Sequence, residues 1–141
     1  MIQRKQTIWL LLAAITGFLI TQVPLYAGTL AGEVVRKFTA TESLLLFAVA
    51  IVAALLGLIA VFLFKNRPLQ LKLSVLGIFV SIGFIALEVW QIGEFGRTNA
   101  LLKGSYYWGA LLPIAMAVFF ILAVINIRKD EKLVKSLDRL R

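Results

Sequence analysis

The chain has 141 residues, of which 61% are hydrophobic and only 16% charged, with a mean hydropathy of +0.95; a soluble domain carries roughly 25% charged residues, and one this small could not hide so much apolar surface. The net charge of +8 does not point to nucleic acid, because the cations flank apolar runs instead of interleaving with aromatics. With no Cys and no His, disulfides, thiol nucleophiles, imidazole-held haem and Cys/His zinc sites are excluded by inventory, and no cofactor is expected.

Arg4 and Lys5 precede the first apolar run, which extends from Ile8 to about Tyr26. A cleavable signal peptide is the competing reading, but the apolar stretch is long and Leu25 is a poor residue for the small position of a cleavage site, so a retained span is preferred. Thr21 and Gln22 fall near its outer end, and Pro24 is placed to kink it. The following loop holds Arg36 and Lys37, then Thr39-Ala40-Thr41-Glu42, which fits a capping box for the next helix. The second run covers Ser43 to Phe64. Lys65-Asn66-Arg67-Pro68 is a tight turn, and the third run follows from Leu73 to Ile92. The loop from Gly93 to Ser105 contains three glycines and reads as irregular and mobile. The fourth run covers Tyr107 to Ile127, with Pro113 as a second candidate kink.

Each run is about 20 residues, enough at 1.5 Å per residue for a hydrocarbon core of roughly 30 Å. None alternates as a barrel strand does, so the expected fold is all-α: a single membrane domain over residues 1–141, a four-helix transmembrane bundle running up-down-up-down. The spans are placed at about 8–26, 43–64, 73–92 and 107–127, and a short amphipathic C-terminal helix at 128–141. Cations crowd the two termini and the Lys65 to Lys72 turn, which by the positive-inside rule puts both ends in the cytoplasm. Tyr26, Trp90, Tyr106, Tyr107 and Trp108 form an outer aromatic belt, and Trp9 marks the inner one.

Small residues recur four apart at Ala13 and Gly17, Ala53 and Gly57, Gly77 and Ser81, and Gly109, Pro113 and Ala117. That spacing lets helix backbones approach closely, and ordinary packing within the bundle is favoured over a dedicated interface. Glu88 is the one carboxylate inside a span. Placed about one turn before Gly93, it reads first as an interfacial anchor; an outward polar pocket with Thr21, Gln22 and Gln91 is the competing view. In the tail, Leu133, Val134, Leu137 and Leu140 share a helical face, with Glu131 four residues before Lys135. Such a tail either extends span four, lies on anionic lipid, or docks on a partner.

Three segments are more specific than their physics requires: Met1-Ile2-Gln3-Arg4-Lys5-Gln6-Thr7 with Leu10-Leu11-Leu12-Ala13-Ala14, the turn from Asn66 to Leu73, and the ending from Asp130 to Arg141. On these the chain resembles, over essentially its whole length, a family of small four-span inner-membrane proteins of Bacteroidota known as a domain of unknown function, DUF4293. The resemblance implies a bacterial inner-membrane location and an uncleaved first span, and it brings no activity. All three segments fall on the inner face, so Gln3, Arg4, Asn66, Arg67, Gln70, Asp130, Lys132, Arg139 and Arg141 are expected to hold a partner protein or anionic lipid headgroups. The favoured role is an accessory or scaffold subunit, within a hetero-complex or homo-oligomer. A small oligomeric transporter or channel using Thr21, Gln22, Glu88 and Gln91 is the alternative. A membrane enzyme ranks last, because no nucleophile with its base can be assembled from these residues.

Overall fold

The computed structural model describes residues 5–141. Four helices form its frame: α1 (Lys5–Ile20), α2 (Leu44–Phe62), α3 (Arg67–Thr98) and α4 (Leu112–Arg139). Each packs on the next, and α4 closes on α1, so the helices stand in a ring. Alternating direction follows from the two ends of that ring. At one end the start of α1 meets the start of α3 and the end of α2: Gln6 Nε2 donates to Gln70 Oε1 at 3.4 Å, and Gln70 Nε2 to the Ala60 carbonyl at 2.8 Å. At the other end the connections pair as a sheet.

That sheet is the main addition to the helical class expected from sequence. Strands β1 (Pro24–Thr29), β2 (Val35–Thr39) and β3 (Lys103–Tyr106) lie antiparallel in the order β2-β1-β3, with Tyr26 opposite both Phe38 and Tyr106. The β1–β2 hairpin turns through Gly32 and Glu33, both at positive φ (99° and 63°), closed by Leu30 N–H donating to the Val34 carbonyl at 2.9 Å. Residues 24–26, counted above as the end of the first span, are therefore strand. Likewise α3 runs on to Thr98, and the segment expected to be irregular is helix, turn and strand.

The prolines change meaning accordingly. Pro24 is the first residue of a strand, where a missing N–H is tolerated. Pro113 sits in the first turn of α4, where the N–H has no helical partner in any case. Neither kinks a helix. The capping box is also displaced: Ala40–Glu42 form a separate 3-10 turn, the Thr39 hydroxyl bonds that of Thr41 at 2.8 Å, and Ser43 caps α2 by accepting from Leu46 N–H at 3.5 Å. Asn66 caps α3, its Oδ1 accepting from Leu69 N–H at 3.3 Å with Pro68 in the first turn. Asn66→Ala is expected to lower stability by about 1 kcal/mol and Asn66→Gly by only a few tenths, read as melting of the purified protein in a mild detergent.

Three helical segments are long and apolar enough to cross a membrane: Leu44–Phe62, Arg67–Thr98 and Trp108–Arg139. Helix α1 has 16 residues, about 24 Å at the α-helical rise. Large apolar side chains such as Leu44, Phe62, Phe79 and Ile82 point outward from the ring, the arrangement expected when lipid is the solvent. The interior is filled by small residues between α1 and α2 and by Phe84, Met116 and Phe120 between α3 and α4. Small residues four apart thus serve close packing. A Cβ built on Gly17 falls 2.8 Å from Ala54 Cβ, one on Gly57 3.1 Å from the Leu10 carbonyl oxygen, and one on Gly77 2.5 Å from the Phe120 ring.

Candidate functional site

Glu88 lies on α3, 3% exposed, and its Oε1 has no hydrogen-bond partner among the described residues. Removing an acceptor from water without replacing its hydrogen bond costs about 1 to 3 kcal/mol, and among the described residues this oxygen shares that condition with Gln6 Oε1, Glu88 being the one buried carboxyl. Its height follows from the helix. Gln70, at the end opposite the sheet, is 18 positions earlier, roughly 27 Å along the axis, and Thr98 is ten positions, roughly 15 Å, further on. Glu88 is accordingly farther from the helix end than the one turn expected from sequence, and it faces inward.

It opens onto a cavity of 380 Å³ between α3, the end of β3 and the start of α4. The 3-10 turn Trp108–Leu111 folds this rim into place: Tyr107 N–H donates to the Leu25 carbonyl at 2.9 Å, and Gly109 packs so tightly on Pro24 that a Cβ there would lie 2.3 Å from the Pro24 carbonyl oxygen. Tyr106, Tyr107 and Trp108 consequently line the cavity with Glu88 below them. Tyr26 holds Tyr106 edge-on, with ring centroids 5.4 Å apart. Lys37 Nζ stands 5.6 Å from the Tyr107 ring centroid.

Of the four residues grouped as an intramembrane polar site, Glu88 alone lines this cavity. Thr21 donates its hydroxyl hydrogen to the Phe18 carbonyl at 2.7 Å and accepts from Gln22 Nε2 at 3.2 Å. Gln91 borders a separate, shallow depression of 220 Å³ with Glu42, Glu94 and Asn99. There Arg36 joins the elements: it donates to Asn99 Oδ1 at 2.7 Å, lies 3.9 Å from Glu42, and covers the Phe95 ring at 5.5 Å.

At the opposite end the structure divides the expected contact residues. Gln3 and Arg4 lie outside the described residues. Gln70 is fully buried and spent on Gln6 and Ala60, so it cannot meet a partner at the surface. Asn66 is exposed, Arg67 half-buried, and Arg67 is near enough to Glu131 to help hold that carboxyl below its usual range. The larger cause is Lys135, whose ammonium bonds Glu131 at 2.8 Å. Asp130 is half-buried and engaged, while every residue from Lys132 to Arg141 is exposed. The tail is no separate helix: α4 continues unbroken through residue 128 to Arg139. Lys132, Lys135, Ser136 and Arg139 line a depression of 260 Å³ on this extension.

Sequence reasoning missed the aromatic rim because Tyr106 to Trp108 read as a belt facing lipid. A signal was present in Gly104 and Gly109, whose lack of a side chain admits Tyr26 and Pro24. Among the described residues no group of three or more acidic side chains could hold a metal. Compared with known families, residues 2–140 match the model described as "Domain of unknown function (DUF4293)". No curated protein matches the chain.

Proposed function

We propose, for a chain that belongs to the DUF4293 family along essentially its whole length, the role of a non-enzymatic accessory subunit of a bacterial inner membrane that grips its partner through the extension of α4. Four crossings with both ends cytoplasmic fit the ring of helices and the cations gathered at the end opposite the sheet. Helix α1 is short, but β1 follows it closely in the chain, and a span need not be helix throughout where neighbours satisfy the backbone.

One observation carries the reading: α4 leaves the ring without a break and, with its C-cap, presents Leu133, Leu137 and Leu140, between 62% and 84% exposed, with none of the described residues covering them. Spacings of four and three place these side chains on one seam suited to a second helix. The cations beside them favour an acidic partner helix. Because the helix continues along α4, it is better directed at a neighbouring protein than laid on the leaflet. The depression at Lys132, Lys135 and Arg139 supports a second occupant, an anionic lipid headgroup.

A photo-crosslinker at Ser136 in cells distinguishes these. A discrete protein adduct is expected with the native sequence and should vanish in L133D/L137D, while K132E/K135E weakens it only in part. An adduct pattern unchanged by L133D/L137D rules out the seam. The transport reading draws support from buried Glu88, but Thr21 and Gln22 bond to each other and Gln91 borders a different depression, which favours holding a ligand over passing one through.

A further inference from the structure

We infer that the cavity above Glu88 is a binding site for an amphiphile with a primary ammonium head. The site lies at the sheet end of the molecule, remote from the α4 extension, and does not depend on the partner reading.

Three observations converge. Glu88 lines the cavity, is more than nine-tenths buried and keeps one carboxyl oxygen without a donor among the described residues, and a primary ammonium brings N–H groups and the opposite charge together. Tyr106, Tyr107 and Trp108 stand around that space, and ring faces attract cations. Lys37 already rests its ammonium against Tyr107, so the rim receives such a group from this chain itself. Among the described residues Glu88 is the only Asp, Glu, Lys or Arg in the lining, and Lys37 meets Tyr107 from outside it.

The rest of the wall specifies the body of the ligand. Ile85, Val89, Leu111 and Ile114 complete it, and Val89, Leu111 and Ile114 are 56%, 64% and 49% exposed. The wall thus continues into the apolar outer surface of α3 and α4. A ligand seated on Glu88 would leave through an apolar mouth, which suits an alkyl tail and not a compact hydrophilic amine. A trimethylammonium could use the rings but has no N–H to offer the Glu88 carboxyl, so the primary amine is the better match.

The test uses the full chain in phosphatidylcholine nanodiscs titrated with decylammonium, with tryptophan fluorescence as the signal and W108F as its control. Saturable binding is expected, about tenfold tighter than decyltrimethylammonium or decanol. E88Q should weaken it about tenfold or more, and E88D should retain most of it. Ala110, also in the lining, gives a variant that spares the carboxyl: A110F fills the space and should weaken binding as strongly as E88Q, with unchanged gel filtration showing that the fold persists. Equal binding of all three probes, or undiminished binding by both E88Q and A110F, overturns the proposal. Competition from added phosphatidylethanolamine assigns the head to a membrane lipid and competition from ethanolamine to a water-borne amine, and either supports the site.

Discussion

Gly17→Leu is expected to lower stability by about 3 kcal/mol, the upper part of the usual range for overpacking. The reason is what the new side chain meets. At Gly17 the first added carbon already lies 2.8 Å from Ala54 Cβ and 3.0 Å from the Ala54 backbone. Neither can rotate away, so α1 must separate from α2 along a contact made almost wholly of small residues. For a chain of this length the melting temperature should fall by about 10 °C. Gly83→Leu is the matched control, since a Cβ there meets nothing within 4 Å. It should leave the melting point unchanged or raise it slightly, as replacing a helical glycine removes up to about 1 kcal/mol of propensity cost. Equal effects at the two glycines would contradict the packing described.

The second large effect is an interaction between two positions. The Phe120 ring lies over Gly77, with its nearest atom 2.5 Å from where a Cβ would be, and Phe120 is fully buried. Phe120→Ala should cost about 3 to 5 kcal/mol through the cavity it leaves. Gly77→Leu should cost about 2 kcal/mol or more, because the ring must move. Combined, the leucine occupies the vacated space. The double variant should therefore be more stable than the sum of the single effects predicts, by at least about 1 kcal/mol. Thermal melting of the four proteins measures that coupling, and strict additivity would show that the ring and the glycine do not share one space.

How much of this was legible beforehand depends on what each residue type reports. Helix α2 and the Asn66 to Pro68 turn were clear, because a continuous apolar run and a Pro-containing turn leave few alternatives in lipid. The end of α1 was not. Residues 21–26 carry no charge and directly follow an apolar run, and hydropathy does not distinguish helix from a strand whose partners come from residues 35–39 and 103–106. Gly93 and Gly96 suggested a loose connection but lie within α3, and Gly104 lies in β3, whose partner β1 is distant in sequence. Glu88 stood out as a carboxylate within an apolar run, but its distance from the end of its helix was underestimated because α3 continues six residues beyond Ile92, to Thr98. Gln70 was read as exposed from its place beside a charged turn; four residues into α3 it faces α1 and α2 instead.

The pairing of β1 with β3 has a mechanical consequence. It ties the α1–α2 hairpin to the α3–α4 hairpin at the end opposite the turn between α2 and α3, with Tyr26 meshed against Tyr106. Sliding one pair along the other by a single residue would turn every strand side chain to the wrong face. The two halves are therefore fastened at both ends, by this clasp at one and at the other by the chain between α2 and α3 together with the bonds of Gln70 to Gln6 and Ala60, so neither end is free to hinge open.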